Sequence, residues 1–477
     1  MISRRGLLKA AGGMVGAGVV ASGCAGKTGS WEQGRRRPNV VFVFADQWRG
    51  QAVGYAGDVN VRTPVLDKLS RESVRFTTAV STCPVCCPWR ASLVTGRYPL
   101  THGVFMNDVH LNEQAVSIAQ AFGGAGYGTG YIGKWHLDGR GRSSFIPRER
   151  RQGFEHWRVL ECTHDYNRSA YWGDEQVKRV WEGYDAAAQT REAQRYIRGR
   201  EKGRPFALFV SWGPPHNPYG TAPEEFRRMY EAGKLVLRQN VPREMEAEAR
   251  RDLAGYYAHC SALDGCVGEL LGTLKEEGLE EDTVFVFTSD HGDMLGSQGM
   301  MRKQKPFDES ILVPLLVRWP RVGRREIGEP MGVEDLMPTL LGLCGVEIPK
   351  TVEGRDWSGV VRGEKNAGDE AALIACYTPF GEWTRANGGR EYRGLRTRRW
   401  TYVRDLKGPW LMFDNERDAL QKTNLVGLAE HAGVQRELEG RLREKLGERG
   451  DEFREGRYYV EKWGYVTDAT GTVPYKN

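Results

Sequence analysis

Two distant stretches of the chain carry nearly the same text. Asn39-Val-Val-Phe-Val-Phe-Ala runs into Asp46-Gln47, and Thr283-Val-Phe-Val-Phe-Thr-Ser runs into Asp290-His291-Gly292-Asp293. A continuous apolar, β-branched and aromatic run has no polar face to offer water. Each therefore reads as a strand covered on both sides, as in a parallel sheet. Phe206 to Val210 and Leu312 to Trp319 are further runs of this kind, and Thr63-Pro64 introduces a helix through Val65, Leu66, Leu69 and Val74. Strand alternating with helix predicts the α/β class, a large mixed, mostly parallel sheet sandwiched by helices. Such sheets bind ligands in the crevice at the carboxyl ends of their strands. The repeated runs bring Asp46 and Asp290 to that crevice together. A buried charge is costly unless paired or metal-bound, so both acids are candidate metal ligands.

Between the two runs lies Cys86-Cys87-Pro88-Trp89-Arg90-Ala91-Ser92-Leu93-Val94-Thr95-Gly96-Arg97. Pro88 suits the first turn of a helix, which sets Cys86 just before the helix N-terminus. Unpaired N–H groups and the positive end of the helix dipole favour an anion there, and Arg90 and Arg97 add charge. A reactive side chain and an anionic substrate are both implied.

Cys-x-Pro-x-Arg followed by Ala-Ser-Leu-x-Thr-Gly-Arg resembles the signature of type I sulfatases, in the alkaline phosphatase superfamily. Their cysteine is oxidised to formylglycine (3-oxoalanine) by a formylglycine-generating enzyme. Only Cys86 has a proline at plus two and an arginine at plus four, while Cys83 and Cys87 do not. Trp89 departs from the small residue usual in the family. The resemblance implies an alkaline phosphatase-like fold and a divalent metal, usually calcium, at the ends of the repeated strands. Gln47 and His291 occupy the variable places beside Asp46 and Asp290. A hard cation takes oxygen, which Gln47 offers and His291 does not, so His291 either ligates a softer metal or touches the sulfate.

The same resemblance covers three more clusters. Gly133-Lys134-Trp135-His136 sets Lys134 and His136 at alternate positions of a strand end, with Lys134 implied on the sulfate and His136 beside the formylglycine. Pro215-His216 implies that His216 faces the leaving oxygen. Lys303, four residues before Phe307, matches the family's active-site lysine. Cys86, Arg90, Lys134, His136, His216 and Lys303 form the implied catalytic set, and hydrolysis of a sulfate ester is the implied reaction.

For the substrate, the stretch from Cys162 to Trp172 is rich in sugar-type contacts, and the chain holds 14 Trp, which suits stacking surfaces. His164, Tyr166 and Asn167, with Asn217 and Arg396, are the candidate carbohydrate contacts. A Trp-rich loop packed on the core is the other reading of this stretch. The class leans toward sulfated carbohydrate. A phosphonate or phosphodiester hydrolase of the same superfamily and a non-enzymatic anion-binding lipoprotein are the alternatives.

The first 23 residues read as a targeting segment. Ser3-Arg4-Arg5-Gly6-Leu7-Leu8-Lys9 resembles a twin-arginine export signal, and the apolar run from Ala10 to Ser22 is too short to span a bilayer. Ala21-Ser22-Gly23-Cys24 resembles a lipoprotein cleavage box. Cleavage there leaves a lipid anchor on Cys24, a polar tether over 24–37 and a protein of the periplasm or cell envelope. Because this route carries folded proteins, modification of Cys86 precedes export. Losing Arg4, Arg5 and Lys9 takes the formal charge from +6 to +3, too modest for a nucleic-acid partner. Nine cysteines are present, without disulfide-scaffold spacing.

A catalytic domain over 38–366 and a smaller α+β subdomain over 367–477 complete the expected organisation. The latter has short antiparallel strands at Arg393 to Thr397, Trp400 to Val403 and Leu411 to Asp414. A helix follows with Val434, Leu438, Leu442 and Leu446 on one face, its solvated side continuing in the charged run from Arg441 to Arg457.

Overall fold

The apolar runs become the centre of a nine-stranded sheet in the computed structural model, which describes residues 37–475. Its strands are β1 (Asn39–Asp46), β2 (Val74–Val80), β3 (Gly128–Lys134), β4 (His156–Leu160), β7 (Phe206–Pro215), β8 (Thr283–Ser289), β9 (Leu312–Arg318), β10 (Arg325–Ile327) and β11 (Met331–Gly332), with a separate ribbon of β5 (Ala170–Tyr171) and β6 (Arg179–Val180). The order is β10-β2-β9-β8-β1-β7-β3-β4, with β11 also on β2. Within this sheet β9 alone runs against its neighbours.

The repeated runs are adjacent and parallel, in register from Asn39 opposite Thr283 to Ala45 opposite Ser289. Successive side chains of β1 point to opposite faces. Val41, Val43 and Ala45 enter a core with Leu66, Ile197, Leu253 and Leu263 from the helices Pro64–Arg71, Asp185–Gly199 and Glu246–Glu276. Phe42 and Phe44 face the other layer, where Phe44 meets Trp89 of the helix Cys86–Thr95 at 5.2 Å between ring centroids. The sheet is thus covered on both sides, as its residues require.

Two local expectations shift. The helix after Pro64 ends at Arg71, and Val74 opens β2 instead, because the β-branched run Val74-Arg-Phe-Thr-Thr-Ala-Val finds a pairing partner in β9. Cys86 is the first residue of its helix rather than the residue before it, with Val85 as the cap.

A second, antiparallel sheet is formed by β12 (Ala371–Cys376), β13 (Tyr392–Thr397), β14 (Trp400–Asp405) and β15 (Gly408–Asp414). The helix Ala432–Glu448 lays Leu438, Leu442 and Leu446 on Leu373, Leu395, Tyr402 and Met412. The charged run beyond it is not all solvated. Asp451 is buried and accepts from the Arg393 guanidinium, which the apolar surroundings would not tolerate unpaired. No helix of the described residues is long and apolar enough to cross a membrane. The targeting segment and Cys24 lie outside the described residues.

Arg396 corrects a substrate assignment. It is buried, and its guanidinium forks onto Asp308 with Nε and Nη2 each 3.0 Å from a carboxylate oxygen. Gln421 donates to the same carboxylate at 3.2 Å. The arginine ties β13 to the turn before β9 and has no face left for a sugar. Arg396→Ala leaves Asp308 buried without its cation and is expected to cost about 3–5 kcal/mol in chemical denaturation, with KM unchanged. A raised KM at unchanged stability would return Arg396 to the substrate.

Candidate active site

Because β1 and β8 end side by side, Asp46 and Asp290 meet, and neither is exposed. Asp46 Oδ2 accepts from Lys134 Nζ at 2.6 Å and from Arg90 Nη2 at 3.1 Å. The same Arg90 nitrogen reaches Asp290 Oδ2 at 3.2 Å. Arg90 Nη1 donates to the Lys134 carbonyl and to Ser211 Oγ, each at 2.7 Å, and the guanidinium lies 5.0 Å over Phe44. The second Asp290 oxygen accepts the backbone N–H groups of Gln47 and His291, each at 2.9 Å. Burial alone raises both acids. Lys134, His216 and Arg90 reverse this and hold Asp46 well below the usual carboxylate range, whereas burial and the Asp46 charge push Asp290 up to about 6.

Cys86 stands over this pair. Its Sγ lies 3.3 Å from His291 Nε2, 3.4 Å from Lys303 Nζ and 3.7 Å from Asp46 Oδ1. All ten residues of its helix are buried, and Val85 gives the N-terminus no side-chain cap. Burial and Asp46 oppose ionisation of the thiol, but Lys134, Lys303 and His291 outweigh them and hold it well below its ordinary value.

Four side chains could hold a metal. One ligand atom each from Asp46, Cys86, Asp290 and His291 fall within 4.8 Å of one another. His291 Nδ1 pairs with the Gly292 carbonyl at 3.0 Å, which leaves the Nε2 lone pair turned toward Cys86. Gly292 itself has no room for a side chain, since a Cβ would lie 2.0 Å from the Glu309 carbonyl oxygen. Gln47 is set by Asp293, a residue without a role in the motif reading. Asp293 accepts Gln47 Nε2 at 2.6 Å, and the amide oxygen thereby faces Lys303 Nζ at 3.1 Å. Two carboxylates, an amide oxygen and an imidazole lone pair make a donor set that fits a divalent cation.

Lys303 also donates to His216 Nε2 at 2.9 Å, while His216 Nδ1 meets the Asn217 carbonyl at 2.8 Å. His136 lies just past the end of β3 with φ of 60°, so strand alternation does not carry it to the same face as Lys134. Its Nε2 lies 3.2 Å from Asp108, a second residue unmarked in the sequence, and Arg142 forks onto that carboxylate at 2.9 and 2.8 Å.

The sugar candidates divide. His164 is exposed and stacks on His216 with ring centroids 4.7 Å apart. Asn167 is exposed and bonds the Thr221 carbonyl at 3.0 Å, and Asn217 Oδ1 has no partner among the described residues. Tyr166 is corrected: it is buried in the core, its ring against Gly213 and its hydroxyl on the Asn217 carbonyl at 3.3 Å. It supports the His216 loop from beneath. Two cavities of 470 and 550 Å³ lie elsewhere, around Tyr55 and around Tyr196, and neither touches Cys86.

A buried acid pair at the carboxyl edge of this sheet, faced by a helix-borne cysteine and two lysines, defines a hydrolase of the alkaline phosphatase superfamily. The sulfatase family model matches residues 38–346, and the model of the N-sulphoglucosamine sulphohydrolase C-terminal region matches 296–448. The chain is 43% identical to an ulvan-active sulfatase of Formosa agariphila, over 90% of this chain and 85% of that one. It is 30% identical to an endo-4-O-sulfatase of Bacteroides thetaiotaomicron, over 85% and 91%. A solved sulfatase of glycosaminoglycan metabolism from Bacteroides thetaiotaomicron superposes with a TM-score of 0.80 at 28% identity, covering 90% of this chain and 98% of that one. The chain belongs to the sulfatase family and is a sulfuric ester hydrolase; the family implies a divalent metal and formylglycine.

Asp293→Asn removes the acceptor that orients Gln47. It is expected to weaken metal affinity about 10- to 100-fold, measured as metal retained per chain after dialysis against graded chelator. Unchanged affinity would free Gln47 from the metal.

Proposed function

We propose that this chain hydrolyses sulfate esters of a sulfated glycan, with Cys86 converted to formylglycine, calcium held by the oxygens of Asp46, Asp290 and Gln47, and His291 Nε2 turned to the sulfate beside position 86. The observation that carries the reading is the position of Cys86, at an uncapped helix start within 3.4 Å of Lys303 and 3.7 Å of Asp46. The glycan class is supported by relatives named for ulvan and for endo-4-O-sulfate hydrolysis. Calcium is favoured by the oxygen donors of Asp46, Asp290 and Gln47. Once formed and bound, the formylglycine supplies the attacking oxygen and the metal draws charge from the sulfate.

The remaining work falls to this chain's own groups. Lys134 and Lys303 bring two ammonium groups to the rim of Cys86, where they bind the anion and meet the charge that develops as its ester bond breaks. Arg90 keeps the two carboxylates together. His216 has Nδ1 on the Asn217 carbonyl and its Nε2 lone pair toward Lys303, so it orients the Lys303 ammonium, which itself holds the proton for the leaving oxygen. Burial opposes a charge on His136, but Cys87, Cys162 and Asp108 outweigh it and hold the ring well above the usual imidazole range, so it keeps its proton and adds positive charge to the site. His164, stacked on His216, and Asn217 flank the leaving sugar. The proposed setting is export by the twin-arginine route to the periplasm or cell envelope with a lipid on Cys24, supported by Arg4-Arg5 and by Ala21 to Cys24.

Protein from a host with the formylglycine-generating enzyme should release inorganic sulfate from ulvan oligosaccharides or another sugar in a position-defined sulfated panel. The peptide holding position 86 should have its sulfur replaced by a carbonyl. Cys86→Ala should abolish turnover and keep the melting temperature. A preference for phosphodiesters across the panel, or turnover by Cys86→Ala, would overturn the reading.

A further inference from the structure

The short helix Gly456–Lys462 and Trp463 after it form a surface that the catalytic chemistry does not use. Tyr458 and Trp463 are among the large apolar side chains left exposed, at 40% and 39%. They flank a cavity of about 300 Å³ whose wall also holds Arg449, Lys462, Leu100 and Glu452, the last neutralised by Arg454. Neither the Tyr458 hydroxyl nor the Trp463 indole N–H has a hydrogen-bond partner among the described residues, and the buried Arg449 Nε has none either. Lys462 makes no ion pair there, its ammonium lying 5.9 Å over the Tyr458 ring. Its neighbours Arg454 and Arg457 are each tied to a glutamate. Two half-exposed rings with open polar heads, beside a lysine that pairs with no acid because Glu452 is taken by Arg454, suit a ligand with an apolar face, hydroxyl groups and negative charge.

This surface is anchored to the catalytic edge. The Trp463 ring fills the space above Gly103, where a Cβ would lie 2.5 Å from it, and Gly103 takes φ of 86°. The Tyr465 hydroxyl bonds the Gly103 carbonyl at 2.8 Å. Four residues on, Asn107 accepts the backbone N–H of Cys87, and Asp108 holds His136. Four residues of extended chain span at most about 14 Å. The aromatic surface and the catalytic helix therefore share one short, well-tied segment.

We infer that Tyr458, Trp463 and Lys462 form a second saccharide-binding site, which holds a sulfated or carboxylated unit of the polymer while another unit is cleaved. The inference rests on the glycan reading above, but its test does not depend on turnover. Rings stack on the sugar face and Lys462 takes the anionic group.

In the Cys86→Ala background, affinity electrophoresis in gels containing ulvan should show at least a fivefold weaker retention for the Tyr458→Ala/Trp463→Ala protein. The exposed single variant Lys462→Glu, which leaves the packing over Gly103 intact, should also bind more weakly. With Cys86 present and modified, both variants should raise KM for the polymer several-fold and leave kcat/KM for a small sulfated sugar within twofold. Retention of Lys462→Glu equal to that of the parent would overturn the proposal. So would an equal fall in small-sugar turnover. Absence of any turnover by the unmutated enzyme would sink the glycan reading while leaving the retention measurement to judge this site.

Discussion

Two carboxylates at the ends of adjacent buried strands cannot stand there alone. The apolar runs that make β1 and β8 good central strands also carry Asp46 and Asp290 into the least hydrated edge of the sheet. Removing the partner of a buried charge typically costs about 3–5 kcal/mol, so the neighbourhood must supply cations. Arg90 does so from the second turn of its helix, reaching both acids with one nitrogen, and Lys134 does so from the end of β3. Lys134, which neutralises Asp46, is also one of the two ammonium groups that the proposed function sets on the sulfate.

That economy explains how much of the site could be read in advance. Asp46 and Asp290 were marked because they repeat, and Arg90 because it follows the cysteine at a fixed interval on a helix. Lys303 comes from a distant loop, and only family resemblance could point to it; its ammonium does lie beside Cys86 and His216. Asp293 and Asp108 carried no such mark. Each acts on a functional side chain through one hydrogen bond, and a bond between Gln47 and Asp293 has no signature in spacing. Tyr166 and Arg396 failed in the opposite sense. Their residue types suit sugars, but type does not report burial, and the core claims one while Asp308 claims the other.

The fold shows the same division. Strand runs with strong β character were placed within a few residues, because burial on both faces leaves them no alternative. Val74 went astray since a β-branched residue after a helical segment serves either element until its partner strand is known. The charged run near the C-terminus looked solvated because most of its side chains are, yet Asp451 is drawn inside by Arg393. Local patterning cannot see a partner that lies far away in sequence.

Burial also fixes when Cys86 can be modified. The residue is 1% exposed, every residue of its helix is buried, and Trp89 is pressed against Phe44 beneath it. A modifying enzyme must reach the Cys86 side chain, which the docked helix covers. That access exists only before the helix docks on the sheet. The proposed conversion to formylglycine would therefore precede folding, and folding would precede any export route that carries finished domains. The proposed twin-arginine signal is consistent with this order. A route that threads unfolded chain would instead require the modifying enzyme on the far side of the membrane.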